Sequence, residues 1–312
     1  MIDTTHTRIL LGDEEGALEA TFVPSAGMLC CSLRHRGEEL LAQNRGVEVY
    51  AELGKTMGIP LLYPWANRLA GFDYATAGQT VTVPRDRTRV SLDANGLPIH
   101  GVIGGRLQWE PLDATDTDPR SLTARLRWDE SQPELFAIFP FRHELRYQAR
   151  LAGGALEVRV TVHADAHAAV PVAFGFHPYF SLPGAPREGW LVDLPPMRHL
   201  ALDTQGIPRG VERPWPQRCF ELAAQEFDDG FDAVAEPARF ALTGGGRRIA
   251  LELLEGYPCA QIYAPVTAQF ICFEPMTAPA NALRSGNGLR VLAPGERYSA
   301  CFRVLVEDLA AG

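Results

Sequence analysis

Four short segments of this 312-residue chain set reactive polar side chains among apolar or aromatic neighbours. They are Tyr63-Pro64-Trp65-Ala66-Asn67-Arg68, Pro98-Ile99-His100-Gly101, Phe174-Gly175-Phe176-His177-Pro178-Tyr179-Phe180 and Phe270-Ile271-Cys272-Phe273-Glu274-Pro275. In an extended chain alternate residues share a face, so Phe270, Cys272 and Glu274 lie on one side of the last segment and Ile271 and Phe273 on the other. A strand apolar on both faces runs between layers, which desolvates Glu274. Desolvation raises a carboxylate's pKa toward neutrality, where it suits a general base. The ordinary alternative is a structural Glu in a buried ion pair, because carboxylates are seldom buried without a partner.

In the third segment Val172, Phe174 and Phe176 share one face, and His177 lies opposite with the small residues Ala173 and Gly175. Small neighbours leave a hollow beside the imidazole, which Tyr179 and Phe180 could wall. Histidine titrates near neutrality and can both give and take a proton. A hydrogen-bonded core histidine is the competing reading. His100 precedes Gly101, which permits close backbone approach, and could hydrogen-bond a substrate oxygen. Asn67 and Arg68 suit sugar hydroxyls, or form an ordinary surface pair. His143 and His199 lack such neighbourhoods and read as structural.

Other patterns carry less. Gly54-Lys55-Thr56 has the end of a P-loop, but the glycine required five positions earlier is Val49 and no amphipathic helix follows. Gly244-Gly245-Gly246 reads as a hairpin turn, and no Gly-x-Ser-x-Gly elbow is present. His163, Asp165 and His167 would share a strand face, yet no further ligand follows them, so a solvated strand end is preferred to a metal site.

Period-two alternation dominates the elements that must position these groups. Leu145, Tyr147, Ala149 and Leu151 alternate with polar residues, and after Gly153-Gly154 the pattern resumes at Leu156, Val158, Val160 and Val162, which predicts an antiparallel hairpin. Strands are also expected at Leu122 to Trp128, Tyr298 to Val306, Val47 to Leu53, Ile249 to Leu254, Ala260 to Tyr263 and Phe270 to Phe273. Helical periodicity is weak, so helices should be few and short. The Pro-rich stretch from Pro195 to Pro216 is the best boundary candidate, but strand patterns flank it alike. One all-β domain over residues 1–312, with stacked sheets, is the simpler reading.

The 29 basic and 38 acidic residues leave a net charge of −9, a poor match to a nucleic-acid backbone. Met1 to His6 lacks the basic and then apolar run of a secretory signal, and no apolar stretch approaches a membrane span. Six cysteines without a Cys-x-x-Cys pair fit a reducing cytoplasm, with Cys272 and Cys301 as small buried hydrophobes.

Together and in this order, the segments resemble the aldose 1-epimerase (galactose mutarotase) family, from about Tyr63 to Ala282. Asn67-Arg68 resembles its sugar-binding pair, His100-Gly101 its first active-site histidine, and His177-Pro178-Tyr179-Phe180 the segment of its catalytic histidine. Phe227-Asp228-Asp229-Gly230-Phe231 is similar to a Phe-Asp-x-x-Phe segment, which makes Asp228 the sugar-hydroxyl acceptor, with Asp229 the alternative. Ala260-Gln261-Ile262-Tyr263 matches a segment whose glutamine contacts sugar, and Glu274 falls where the family places its base. The resemblance implies a large antiparallel β-supersandwich needing no metal or organic cofactor. Galactose enzymes usually carry Asn-His-Ser-Tyr-Phe where this chain has Gly175 to Phe180, so the chain looks more like bacterial branches.

The implied reaction is interconversion of the α and β anomers of a free hexose. Glu274 would act as base and His177 as acid, while His100, Arg68, Asn67, Asp228 and Gln261 hold the sugar. A hexose-6-phosphate 1-epimerase ranks second: Arg68, Arg106 and Lys55 could serve a phosphate, but the sequence shows no tight Arg/Lys cluster. A non-catalytic carbohydrate-binding protein of the same fold, or a glycoside hydrolase using Asp228 or Asp229 with Glu274, is the remaining alternative. The expected partner is a small sugar, with neither nucleic acid nor membrane, and the protein is a monomer or homodimer.

Overall fold

The computed structural model describes residues 6–13, 17–102, 104–112 and 118–309. The end segment Met1 to Thr5, part of the signal-sequence reading, lies outside them. Two large antiparallel sheets form the body. One has nine strands, whose spatial order is Arg218–Glu221, Leu191–Leu194, Ala238–Gly244, Arg247–Glu255, Arg297–Asp308, Ala155–Ala164, His143–Ala152, Ser121–Trp128 and Glu110–Pro111. The other has eight. Its path runs Pro208–Trp215, Met197–Leu202, Phe227–Asp232, Cys259–Ala264, Ile271–Met276, Gly175–Phe176 and Leu61–Leu62, with Tyr179–Phe180 also pairing Ile271–Met276. A smaller four-stranded sheet covers Ile9 to Glu39.

The expected hairpin forms in the register its pattern dictates. Leu145 faces Val162, Tyr147 faces Val160, and Leu151 faces Leu156, all buried. Gly153 and Gly154 both take positive φ (56° and 71°), which a two-residue hairpin turn demands and glycine supplies without strain. Gly245 and Gly246 do the same between Ala238–Gly244 and Arg247–Glu255.

Val47–Leu53, expected as a strand, is an α-helix. Its buried residues, Val47 and Tyr50, are three apart, and the left-handed Gly54 caps its end by donating its N–H to the Tyr50 carbonyl. With Val47, Val49, Ala51 and Leu53 at alternate positions, this seven-residue segment cannot be told from a strand by alternation alone, and the flanking Gly46 and Gly54 decide it. Only two other α-helices occur among the described residues, Pro133–Ile138 and Ala282–Ser285. The Pro-rich stretch passes the chain between sheets: Leu191–Leu194 belongs to the nine-stranded sheet and Met197–Leu202 to the eight-stranded one.

The sheets meet through aromatic side chains. Phe273 packs on Phe240 with centroids 5.7 Å apart, and Phe176 packs on Phe302 at 4.9 Å. Each pair joins one sheet to the other, and edge or tilted ring contacts of this kind add to the area they bury. One face of the eight-stranded sheet is therefore sealed, and alternation places the next residue of each strand on the opposite face. Among the described residues no helix is long and apolar enough to cross a membrane.

Candidate active site

That opposite face carries the site. In the ladder Gly230 sits opposite Gln261 and Gln261 opposite Glu274, while Asp228 pairs Tyr263, Tyr263 pairs Cys272, and Cys272 pairs Tyr179. Directly opposed residues point to the same side of a sheet, so Asp228, Gln261, Tyr263, Glu274 and Tyr179 gather on one surface. Gly230 has a packing reason to be glycine, since a Cβ there would come within 3.2 Å of Gln261 Oε1. All six residues of Ile271–Met276 are buried, as expected of a strand apolar on both faces.

Two loop segments close the surface. Asn67 and His100 both adopt left-handed backbone (φ 56° and 60°), and the His100 N–H donates to the Asn67 carbonyl at 2.9 Å. Such conformations cost about 1–3 kcal/mol in non-glycine residues and persist where the surroundings impose them. Here the bridges Arg68–Ile99 and Tyr63–Gly101 impose them. Gly101 itself has φ 61°, and a Cβ would run into the Tyr63 carbonyl.

The result is a pocket of about 270 Å³ lined by all seven residues singled out in the sequence: Asn67, Arg68, His100, His177, Asp228, Gln261 and Glu274. Thr56, Ile99, Tyr179 and Tyr263 complete it. Tyr179 does wall the hollow beside His177, stacking on its ring at 4.5 Å and 7°. Phe180 turns the other way, onto Phe273. Sequence reasoning passed over Tyr263, although its spacing of two from Gln261 puts both on one strand face. Thr56 was hidden in the discarded Gly54-Lys55-Thr56 motif.

At the centre, Glu274 Oε1 lies 3.2 Å from His177 Nε2, with side chains only 2% and 7% exposed. Burial drives the two groups toward their neutral forms. It pushes Glu274 well above the ordinary 4.5, assisted by the charge of Asp228 and opposed by Arg68. It pulls His177 from 6.5 down to about 3. His100, its ring 5.4 Å from that of His177, is held well below 6.5 by burial and then by the neighbouring His177 and Arg68. Glu274 Oε2, His177 Nδ1 and His100 Nδ1 are buried without a hydrogen-bond partner. Unpaired buried polar atoms cost free energy, so three in one pocket form a surface ready to receive a polar ligand.

Around this centre runs a charged brace. Arg68 Nε donates to Asp93 Oδ2 at 2.9 Å, and its Nη2 lies 3.5 Å from Asp228 Oδ2. Gln261 Nε2 donates to Asp228 Oδ1 at 2.7 Å. Asp93, which sequence reasoning did not select, is almost wholly buried and also accepts the N–H groups of Asn95 and Leu97. Strand parity separates Asp228 from Asp229, whose Oδ1 is held by His199 Nε2 at 2.7 Å. His143 serves the core, bonded to Tyr63 and the Phe141 carbonyl. Asp165 caps its own turn by accepting the His167 N–H. Among the described residues no group of His, Cys, Asp and Glu is arranged to hold a metal.

The sequence profile of the aldose 1-epimerase family matches residues 17–304. The chain belongs to the aldose 1-epimerase family. Within the curated proteins, this family member is 25% identical over 297 residues to the protein of Escherichia coli K12 named YihR, covering 93% of this chain and 90% of that one. The fold of the family is shared with a galactose mutarotase-like protein from Clostridium acetobutylicum (TM-score 0.85, 17% identity, 99% of this chain and 97% of the other). It is shared too with an aldose epimerase homologue from C. elegans (TM-score 0.77, 16% identity, 98% and 100%). The supersandwich implied by the resemblance is thus the observed architecture.

Proposed function

We propose that this aldose 1-epimerase family member interconverts the α and β anomers of a hexopyranose, with Glu274 and His177 as its acid–base pair. The observation that carries the reading is the contact between these two buried groups in a pocket whose other polar residues are hydrogen-bonding side chains. Mutarotation removes a proton from the anomeric hydroxyl and delivers one to the ring oxygen. The ring opens to the aldehyde, the C1–C2 bond rotates, and the ring recloses on the other carbonyl face. The pair holds one proton in two arrangements. With ionised Glu274 and protonated His177, the carboxylate takes the anomeric proton while the imidazolium protonates the ring oxygen. Opening leaves neutral Glu274 and neutral His177, and reclosure runs the transfers backwards.

Burial, which disfavours both charges, favours the arrangement that accompanies the open aldehyde. That offsets part of the cost of opening, where catalytic benefit is to be had. Arg68, Asn67, Asp228, Gln261 and neutral His100 offer donors and acceptors to the hydroxyls and would keep the reacting atoms aligned during rotation. Asp228 is engaged by Arg68 and Gln261, and the closest partner of Glu274 is an imidazole, which favours this reading over a two-carboxylate glycoside hydrolase. A pure sugar-binding protein has no use for a desolvated acid–base pair.

Polarimetry on freshly dissolved α-D-glucose and α-D-galactose tests the proposal. Acceleration toward the equilibrium rotation by the protein, lost in Glu274→Gln, is the expected result. Equal rates with the two proteins on every aldose would refute it.

A further inference from the structure

A second cleft opens beside the pocket. It encloses about 960 Å³ and shares Thr56, Ile99 and His100 with the pocket, so the two spaces adjoin across the His100 side chain. Lys55, Arg87 and Arg106 line it, against one carboxylate, Glu52. These cations are scattered in sequence, which is why no cluster was visible there; the fold gathers them. Among the described residues none of the three makes an ion pair with a carboxylate; Asp86, paired with Arg89, lies near enough for its charge to act on Arg106, and the chain carries nine more acidic than basic residues. Arg106 Nη1 is buried and makes no hydrogen bond.

The placement of Lys55 and Arg106 is fixed by packing. Lys55 follows Gly54, the left-handed cap of helix Val47–Leu53. The turn Gly104–Arg106 docks on that same helix end so closely that a Cβ at Gly104 would lie 2.5 Å from the Tyr50 carbonyl oxygen. Thr56, next to Lys55, hydrogen-bonds the Tyr179 hydroxyl at 2.5 Å, and Tyr179 stacks on His177. The discarded Gly54-Lys55-Thr56 motif therefore forms the rim between cleft and catalytic pair.

Substrate geometry says what would reach this rim. In a hexopyranose the ring oxygen is bonded to C5, and C5 bears the exocyclic C6. If His177 addresses the ring oxygen, C6 projects from the His177 side of the sugar, where His100, Tyr179 and Thr56 lead into the cleft. We propose that the cleft binds an oxyanion carried on C6, a phosphate, sulfate or carboxylate, so that the enzyme prefers an anionic aldose to a plain hexose. This rests on the epimerase reading above and names its substrate class. An oxyanion would supply the hydrogen-bond acceptors that Arg106 lacks and neutralise an unbalanced cluster.

The test compares anomer exchange, followed by NMR, for glucose, glucose 6-phosphate, glucose 6-sulfate and glucuronate. At least one anionic sugar should exceed glucose in kcat/KM by roughly tenfold or more, the scale of a charge-assisted contact. That ratio should shrink when ionic strength rises from about 0.02 to about 0.5 M. It should also shrink in Lys55→Gln, whose exposed side chain puts the fold at no risk, and in Arg106→Gln. The identity of the best substrate distinguishes phosphate, sulfate and carboxylate. Acceleration of glucose equal to or above that of every anionic sugar overturns the subsite and leaves the epimerase reading standing. Failure to accelerate any aldose overturns the epimerase reading, and a second measurement then judges the subsite. Lys55 is the sole lysine of the chain, so an amine-directed label on its peptide reports the cleft directly. Slower labelling with glucose 6-phosphate than with glucose upholds anion binding there, and equal labelling refutes it.

Discussion

Glu274 Oε1 and His177 Nε2 stand 3.2 Å apart in a space from which both side chains are almost wholly screened. At that separation they titrate as one unit holding zero, one or two protons, and the proposed cycle uses only the one-proton state. Depression of His177 and elevation of Glu274 widen the pH interval in which that state prevails.

The pH profile follows from those directions. Below the lowered His177 value, about 3, both groups carry protons and no base remains. Above the raised Glu274 value neither does, and no acid remains. The rate of anomer exchange should stay level from mildly acidic pH through neutrality, with its acid limb far below the 6.5 of an ordinary histidine. An acid limb centred near that ordinary value, in a kcat profile by polarimetry, would count against the pairing.

Activity and stability should separate at residue 274. Between the unfolded value of 4.5 and its raised folded value, Glu274 keeps a proton that the unfolded chain has released. Folding stability therefore falls as pH rises through that interval, by at most about 1.4 kcal/mol per pH unit. Glu274→Gln removes this penalty. The variant should lose about a hundredfold or more in turnover and match or exceed the wild type in Tm at neutral pH. A strongly lowered Tm would show that the carboxyl group holds the fold together.

Adjacent aspartates should behave differently. Asp228 reaches Arg68 and Gln261 within the pocket, whereas Asp229 is bound to His199 on the other side of the sheet. Asp228→Asn is expected to raise KM by roughly tenfold, the worth of one charged hydrogen bond. Asp229→Asn should leave KM near wild type and lower thermal stability. Steady-state kinetics on the two variants, with the preferred aldose, decides between these roles, and the reverse pattern would reassign the sugar contact to Asp229.

Gly101→Ala probes the loop that carries His100. The added Cβ meets the Tyr63 carbonyl at a backbone angle (φ 61°) that alanine rarely takes. A loss of roughly 2 kcal/mol or more is expected, read as a lower midpoint in urea unfolding. An unchanged midpoint would mean the loop shifts freely, and with it His100.

Much of this was legible in alternation. A period of two fixed the hairpin of Leu145 with Val162, and it put Glu274 on the face of Cys272. Registers between distant strands were not legible, because they depend on which strands become neighbours. So the meeting of Asp228 with Arg68, the exclusion of Asp229 and the bracing of Arg68 by Asp93 appear only in three dimensions. The helix at Val47–Leu53 was misread because its two buried positions are too few to show a period. Lys55 and Arg106 fell together for the same reason as the registers: a packing contact between helix end and turn joins segments fifty residues apart.

The pocket draws on residues from Thr56 to Glu274, contributed by strands that are adjacent in space and distant in the chain. Asp228 cannot meet Arg68, nor Glu274 meet His177, until the path from Phe227–Asp232 through Cys259–Ala264 and Ile271–Met276 to Gly175–Phe176 has closed. Such long-range pairings come late, after loop closure has been overcome. Recovery of the proposed anomer exchange on refolding should therefore report completion of the eight-stranded sheet. Neither half of the chain, cut near the Pro195 crossing between sheets, can show it alone: Asn67, Arg68, His100 and His177 lie before the cut, and Asp228, Gln261 and Glu274 after it.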